Sequence, residues 1–288
     1  MNRPQELRRP LELIKLSAEF LAEKGVENAR LDAELLLARV LDVNRLQLYV
    51  GHERPIVPAE LDRYRELIRQ RAQRVPVQLL LGDVQLLDRV FSVRPGVFIP
   101  RPETETLIRR CIELEFATGA PSDIVEVGVG TGCIGISLLD HWPKARLRAY
   151  DVNPKAIELT QLNAEAYDVG ARIDLRAADA FAGDLLACDL LVSNPPYLDP
   201  EELAELAPEV RDHDPREALV WEGGALGAIE RLVSHGCRCL RARGWLIFEH
   251  ALGQAEAARA RLHTAGYVEI RSHRDLAGIE RVCEGRRP

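Results

Sequence analysis

Several features that would assign the chain to a special class of protein are missing from its 288 residues. No apolar run approaches the roughly 18 residues of a membrane-spanning helix. The N-terminal stretch mixes Arg, Glu and Leu and lacks the apolar block of a secretory signal. The six cysteines form no Cys-x-x-Cys pair and fit no common zinc framework. We therefore expect a cytoplasmic protein with reduced cysteines, no membrane segment and no metal site.

The composition is that of an ordinary globular protein, with 47% hydrophobic and 29% charged residues. A chain of this length suits two domains better than one. Residues 1–75 contain 14 Lys and Arg against 12 Asp and Glu, a net charge of +2, and because the total is −7, residues 76–288 carry −9. This acidic part argues against extended duplex nucleic acid as the main partner, but not against a protein partner with basic patches.

Apolar residues near the N-terminus recur at three- and four-residue intervals, which is typical of amphipathic helices. The pattern predicts a helical domain over residues 1–75. Residues 76–100 contain short apolar runs around Gly82 and Asp83 and predict a β-hairpin linker. The apolar residues of the helical pattern are Leu11, Ile14, Leu21, Leu31, Leu35, Leu36, Leu61, Tyr64 and Ile68.

From residue 123 onward, strand-like segments alternate with helical ones. The alternation predicts an α/β fold over residues 101–288, with a mostly parallel, Rossmann-like sheet covered by helices on both faces. The last two segments, GYVEIRSHRD and ERVCEG, follow each other without a helix between them. We therefore predict that the final pair of strands is antiparallel.

A glycine-rich turn follows the first of these strands in DIVEVGVGTGCIGISLL. Gly128, Gly130 and Gly132 permit positive φ and a close backbone approach to a ligand, and Gly130, Gly132 and Gly135 also satisfy the G-x-G-x-x-G pattern. Asp151 ends the next strand, where a carboxylate can accept both hydroxyls of a ribose. The pair indicates a nucleoside-containing cofactor rather than a merely tight turn, without specifying which cofactor.

Two further polar positions end neighbouring strands. Asp179, in RAADAF, could accept the exocyclic amine of an adenine, although a helix cap explains an aspartate equally well. SNPPY places Asn194, Pro195 and Tyr197 at the same edge of the sheet, where open α/β sheets bind ligands. The Asn194 side-chain oxygen and the Pro195 carbonyl are two acceptors, which suit one –NH2 group, and Tyr197 adds a flat apolar wall.

A clamp on an –NH2 group suits the transfer of an electrophile to nitrogen. An amide nitrogen is a poor nucleophile because its lone pair is delocalised, and holding both protons directs that lone pair and stabilises the developing positive charge. We expect the methyl group of S-adenosylmethionine to be this electrophile. The plain alternative is an Asn-capped turn closed by Pro-Pro, which leaves the combination beside a cofactor loop unexplained.

Five motifs in this order, EVGVGTG, AYDVNP, DAF, SNPPY and FEHALGQ, resemble those of class I S-adenosylmethionine-dependent methyltransferases that modify exocyclic or amide nitrogen. The upstream RVPVQLLLG and VFIPRPETE narrow the resemblance to the release factor glutamine methyltransferases, the PrmC/HemK family. The resemblance extends from about residue 11 to about residue 285. The related enzymes that act on a ribosomal protein glutamine share Asn-Pro-Pro-Tyr but usually depart from PRPETE.

The resemblance implies methyl transfer from S-adenosylmethionine to the side-chain amide nitrogen (N5) of the glutamine in the Gly-Gly-Gln motif of class I peptide-chain release factors. It implies a release factor as the protein partner, with no nucleic acid and no membrane, and we expect a monomer. The residues implied for catalysis are Asn194, Pro195 and Tyr197, joined by Pro196 for substrate binding. The implied cofactor-binding residues are Glu126, Gly128, Val129, Gly130, Thr131, Gly132, Asp151, Asp179, Ala180, Phe181 and Asn194.

The chain departs from the family pattern at two positions. Glu126 stands where the family usually has Asp, and Ala180 stands where an aromatic residue is often found beside the adenine, with Phe181 as its substitute. IPRPETE allows two interpretations: Phe98, Arg101 and Glu105 close over the cofactor or guide the substrate, or the motif only begins a helix.

Four alternatives remain open at this point. The same clamp would serve an adenine-N6 or other nucleic-acid amino-methyltransferase, although the chain has no basic, aromatic-interleaved recognition segment. A methyltransferase for a ribosomal protein glutamine is the second. The G-x-G-x-x-G pattern alone would suit a nicotinamide-dependent oxidoreductase, and a catalytically silent binding module is the last.

Overall fold

The structure is a computed structural model in which residues 9–51, 53–117, 119–183 and 186–288 are described. The first eight positions of the predicted helical domain lie outside the described residues. The chain divides into two compact units, one formed by Met1–Asp83 with Ala207–His213 and the other by Val84–Leu206 with Asp214–Pro288. None of the described helices is long and apolar enough to cross a membrane.

The α-helices and the strands are each numbered in chain order. The described α-helices are α1 (Pro10–Glu23), α2 (Ala29–Leu41), α3 (Arg45–Val50), α4 (Pro58–Ala72), α5 (Val77–Leu81), α6 (Thr104–Glu113), α7 (Cys133–His141), α8 (Pro154–Ala166), α9 (Pro208–Arg211), α10 (Arg216–Leu219), α11 (Gly227–Cys239) and α12 (Ala255–Thr264). The described strands are β1 (Asp83–Leu86), β2 (Arg89–Ser92), β3 (Asp123–Val127), β4 (Arg146–Asp151), β5 (Ile173–Ala177), β6 (Cys188–Ser193), β7 (Leu240–Glu249), β8 (Val268–Arg274) and β9 (Glu280–Arg286).

The first unit is a helical bundle, as the periodicity predicted. Proline at the first position begins both α1 and α4, where its missing N–H costs no helical hydrogen bond. The Tyr64 hydroxyl donates to the Ala33 carbonyl at 3.2 Å, so that this buried phenol is satisfied. The core is formed by the inward faces of the helices, among them Leu13, Ile14, Leu21, Leu36, Leu37, Leu61, Tyr64 and Ile68.

Partly buried ion pairs attach the segment Ala207–His213 to this bundle. Arg71 of α4 donates through Nε to Asp32 Oδ2 at 2.7 Å and through Nη2 to Glu209 Oε1 at 2.8 Å. Arg74 donates to both oxygens of Glu209. A segment that lies far downstream in the sequence therefore belongs to the helical unit, and periodicity in residues 1–75 gave no sign of it.

The predicted hairpin differs in detail. The apolar run Val77–Leu81 forms helix α5, which ends at Gly82 with a φ of 81°. Strands β1 and β2 pair after it, and the turn between them contains Leu87, with a φ of 53°, instead of Gly82 and Asp83. A short apolar run has no periodicity that separates helix from strand, and a left-handed glycine is a frequent end for a helix.

The second unit contains a seven-stranded sheet with the order β5-β4-β3-β6-β7-β9-β8. Strands β3 to β7 run parallel, and β9 is antiparallel to both β7 and β8. Buried apolar clusters lie on both faces of the sheet. The prediction of a Rossmann-like α/β sheet with an antiparallel end is confirmed. The strand order reverses between β3 and β6, and such a switch point is where open α/β sheets form their ligand crevice.

Candidate active site

One cavity opens at the carboxyl ends of β3, β4, β5 and β6, in the second unit. Since β3 pairs with both β4 and β6, the glycine turn lies between the segment of Asp151 and that of Asn194. Of the predicted site residues, Glu126 and Gly132 lie outside the cavity lining. Those that line the cavity are Gly128, Val129, Gly130, Thr131, Asp151, Asp179, Ala180, Phe181, Asn194, Pro195, Pro196 and Tyr197.

The glycine turn has the backbone that its sequence predicts. Gly128, Gly130 and Gly132 have φ values of 75°, 56° and 81°, a region that other residues rarely adopt. A Cβ atom at Gly130 would meet nothing within 4 Å, so the cavity side of the turn is open. At Gly132 a Cβ would lie 2.8 Å from Thr160 Cγ2, and this glycine therefore serves the close approach of α8 instead of the cavity.

Asp151 is fixed by the glycine turn that it faces. Its Oδ2 accepts from the Gly130 N–H and its Oδ1 from the Asn153 N–H, each at 2.9 Å. Burial raises the pKa of Asp151 above its usual value, and the two backbone donors oppose that rise. Each carboxylate oxygen keeps a further lone pair, so the side chain can accept two hydroxyl groups from a ligand in the cavity.

Two aromatic rings form a wall near Asp179 and Ala180. Phe181 and Trp221 both line the cavity, and their ring centroids lie 6.0 Å apart at an edge-to-face angle of 89°. Asp179 Oδ1 accepts from the Phe181 N–H at 2.8 Å. Trp221 was missing from the sequence prediction because it follows a short helix far from any motif; the parallel bridge between Leu198 and Val220 brings it to the cavity.

Asn194 enters the cavity with one end of its amide already engaged. Its Nδ2 donates to Thr104 Oγ1 at 3.4 Å, and Thr104 Oγ1 donates to Glu249 Oε2 at 2.9 Å. Within the described part of the chain Asn194 Oδ1 has no protein donor. The side chain therefore presents an acceptor, which is the polarity that an –NH2 clamp requires.

Tyr197 is held from two directions. Its carbonyl accepts from Gln254 Nε2 at 2.9 Å, and its hydroxyl donates to Glu249 Oε1 at 3.5 Å. Glu249 ends β7 and is only 2% exposed, and burial raises its pKa to about 7. The sequence drew attention to FEHALGQ as a motif but gave Glu249 no role, because nothing in a sequence shows that a carboxylate is buried against another segment.

The two interpretations of IPRPETE, a role at the ligands or only the start of a helix, each hold for some of its residues. Phe98 and Thr104 line the cavity, whereas Arg101 and Glu105 do not. Arg101 forms an ion pair with Asp214 and lies 5.1 Å from the centroid of the Phe98 ring. Glu105 Oε1 accepts from the Leu87 N–H at 2.8 Å. Arg101 and Glu105 thus hold the motif to other segments of the chain, whereas Phe98, which precedes IPRPETE, and Thr104 face the cavity.

Glu126 lies beneath the cavity, fully buried behind the lining. Its Oε2 accepts from the Gly135 N–H at 3.0 Å, and its Oε1 has no partner among the described residues. Burial raises the pKa of Glu126 well above its usual value. A Cβ at Gly135 would lie 2.4 Å from Glu126 Oε2, so this glycine permits the close packing of α7 on the strand.

Comparisons with known proteins agree with this geometry. Family models described as "PrmC N-terminal domain" and "Methyltransferase small domain" match residues 12–82 and 104–226. A release factor glutamine methyltransferase of Geobacter sulfurreducens is 38% identical, covering 93% of each chain. Its counterparts from Chlorobaculum tepidum and Mycolicibacterium smegmatis are 39% and 36% identical, covering 94% and 95% of this chain and 95% and 96% of theirs. The chain belongs to the release factor glutamine methyltransferase family.

Membership in this methyltransferase family confirms the predicted class of enzyme and decides against the oxidoreductase and the silent binding module. S-adenosylmethionine is the methyl donor, and when bound it supplies an electrophilic methyl group. The cavity suits it: the turn at Gly130 is open, Asp151 has acceptor capacity for hydroxyls, and Phe181 and Trp221 offer an aromatic wall.

Proposed function

We propose that this enzyme methylates the side-chain amide nitrogen (N5) of the glutamine in the Gly-Gly-Gln motif of class I peptide-chain release factors. The observation that carries the proposal is the polarity of Asn194: its Nδ2 donates to Thr104, and its Oδ1 is available to a substrate amide. The Pro195 carbonyl supplies the second acceptor, with its direction limited by the fixed φ of proline. Family membership supports the choice of substrate.

The chemistry requires little beyond orientation. With both amide protons held, the nitrogen lone pair faces the incoming methyl group, and the two acceptors stabilise the positive charge that develops on nitrogen as the N–C bond forms. The methyl–sulfur bond breaks as the N–C bond forms, with its electron pair going to the sulfur, and the nitrogen then releases one of its two protons to water to give the N-methyl amide. Tyr197 and Phe98 contribute apolar surface to the cavity, which excludes water and strengthens these hydrogen bonds.

We assign the residues of the cavity to the two ligands as follows. Asn194, Pro195, Pro196 and Tyr197 hold the glutamine. The methyl donor contacts the backbone of the glycine turn through its methionine part, Asp151 through its ribose, and the Asp179–Phe181 segment with Trp221 through its adenine. Glu126 acts from behind the turn, through Gly135, instead of touching the donor.

A substrate comparison tests the proposal. The purified enzyme is incubated with labelled methyl donor and, in parallel, with a class I release factor, with ribosomal proteins, and with duplex DNA and RNA. We expect label in the release factor only. Label in nucleic acid or in a ribosomal protein would favour the corresponding alternative methyltransferase.

We further propose that the enzyme acts as a cytoplasmic monomer. Sedimentation of the free protein tests the oligomeric state.

Replacing Asp151 is expected to weaken binding of the methyl donor. Asp151→Ala removes the acceptor for the ribose hydroxyls and raises the binding free energy by about 1–3 kcal/mol. Asp151→Asn has an intermediate effect, because it keeps one acceptor oxygen, whereas its –NH2 end faces the N–H of either Gly130 or Asn153, which the carboxylate accepts with one oxygen each. Calorimetry should rank the affinities as wild type, then Asn, then Ala; equal affinities for all three would rule out this assignment.

Trp221 is expected to contribute to binding by stacking. Trp221→Ala should weaken binding of the methyl donor by about 1–3 kcal/mol, the usual range for loss of an aromatic platform under a base, and Trp221→Phe should cost less. Trp142, which packs on Phe116 away from the cavity, provides the matched control Trp142→Phe. If calorimetry gives Trp221→Ala the wild-type affinity, the adenine lies elsewhere.

A further inference from the structure

A chain of hydrogen bonds leads from the cavity to a buried carboxylate. Asn194 Nδ2 donates to Thr104 Oγ1 at 3.4 Å, and the same oxygen donates its proton to Glu249 Oε2 at 2.9 Å. Thr104 and Glu249 are each 2% exposed, so water does not compete for these bonds. Three elements meet here: the end of β6, the start of α6 and the end of β7.

The donor and acceptor directions of these hydrogen bonds are set by Glu249, at the buried end of the series. An ionised carboxylate accepts only, so Thr104 must donate its one hydroxyl proton to Glu249 and can then only accept from Asn194. The Asn194 amide is thereby turned with Nδ2 toward Thr104 and Oδ1 toward the cavity. In the opposite orientation its –NH2 would face the –NH2 of a substrate amide, and neither group could accept.

We propose that Glu249 is a positioning residue for methyl transfer: through Thr104 it fixes the Asn194 amide in the orientation that accepts a substrate N–H. The inference rests on the proposed function, because it assumes that the group held by Asn194 is an amide –NH2. Glu249 itself does not line the cavity and touches neither ligand. Its second oxygen, Oε1, accepts from the Tyr197 hydroxyl at 3.5 Å, so one carboxylate acts on both ends of the SNPPY segment.

The charge state of Glu249 decides whether it can act in this way. Within the described residues no cation lies in ion-pair distance of it; the charge of Arg281 favours its ionised form, and burial and the charge of Glu103 oppose it. The resulting pKa is about 7. Protonated Glu249 can donate to Thr104, which then donates to Asn194 instead of accepting from it. Activity should therefore be present above this pKa and be lost as the pH falls through it.

The test compares kcat and KM for a release factor across pH 6 to 9 in the wild type and Glu249→Gln. We expect the wild-type kcat to rise through about pH 7, in line with the raised pKa. Glu249→Gln should lower kcat at pH 8 by roughly 10- to 100-fold and lose this pH dependence, since an amide can both donate and accept. KM for the release factor and calorimetric affinity for the methyl donor should change little.

Two further comparisons distinguish a role in orienting the Asn194 amide from a role in stability alone. Thr104→Ser, which keeps the hydroxyl, should retain more activity than Thr104→Val, which has the same shape without it. Glu284 is a fully buried glutamate in the same sheet, paired with Arg110 away from the cavity, and Glu284→Gln should leave the pH dependence of kcat intact.

The outcomes distinguish this inference from the proposed function. If the wild type methylates the release factor and Glu249→Gln keeps the same kcat and the same rise through pH 7, the positioning role of Glu249 is overturned and the proposed function stands. The role is also overturned if Thr104→Val equals Thr104→Ser. If the wild type methylates no release factor, the proposed function fails, and the inference fails with it.

Discussion

Asn194→Ala is expected to lower kcat for methylation of a release factor severely while the affinity for the methyl donor stays close to wild type. The substitution removes one of the two acceptors that hold the substrate amide and leaves Thr104 without its donor. Losing one oriented hydrogen-bonding group in an active site costs about 2–4 kcal/mol of transition-state stabilisation, which is roughly 30- to 1000-fold in rate. Single-turnover kinetics and calorimetry measure the two quantities separately.

The same preparation of the variant provides both the rate of methylation and the affinity for the methyl donor. A folded variant that binds the methyl donor normally shows that the loss lies in the reaction step. If such a variant retains wild-type turnover, Asn194 does not hold the reacting nitrogen, and the clamp mechanism is wrong.

Removal of the helical unit is expected to have the other large effect. The reacting glutamine offers few contacts of its own, and an enzyme that modifies one glutamine in one protein needs remote contacts whose binding energy positions the reacting amide. The helical unit is a compact body with its own core, and none of its described residues lines the cavity. A chain beginning at Val84 should therefore bind the methyl donor but methylate an intact release factor more slowly by orders of magnitude.

The starting point at Val84 follows the division of the structure, because α5 packs on the bundle core and a start at residue 75 would expose it. Truncation removes Arg71 and Arg74, the partners of Glu209. Glu209→Gln in the truncated chain removes the carboxylate charge that would be left unpaired. A short Gly-Gly-Gln peptide is the control substrate, and its rate should resemble that of the full-length enzyme. Equal losses on the peptide and on the intact protein would refute a recognition role for the helices.

Much of the site could be predicted because its residues end consecutive parallel strands. A buried strand is visible as an apolar run, and the polar residues that follow it must lie at the same sheet edge, which is why Gly130, Asp151, Asp179 and Asn194 were placed together. The chemistry proposed for Asn194 with Pro195 rests on counting donors and acceptors.

The residues that were missed act from outside these strand ends. Trp221 reaches the cavity through a bridge between two loop segments. Thr104 lies at the start of α6, in a motif for which the sequence left two interpretations open, and neither gave Thr104 a role in the site. Glu249 ends a strand like the others, but its importance comes from burial against Thr104 and Tyr197, which depends on tertiary packing alone. Glu126 was predicted to bind the methyl donor. It lies behind the cavity lining because β3 runs beneath the glycine turn, and the sequence does not show that depth.

The position of the transferred methyl group shows whether the Asn194 clamp holds the reacting glutamine amide. A class I release factor is incubated with the full-length enzyme and labelled methyl donor and digested, and the modified atom is located by mass spectrometry of the peptides. We expect one methyl group on the side-chain amide nitrogen of the Gly-Gly-Gln glutamine, and almost none when Asn194→Ala replaces the wild type. Label on any other residue, or no label from an enzyme that binds the methyl donor normally, would contradict it.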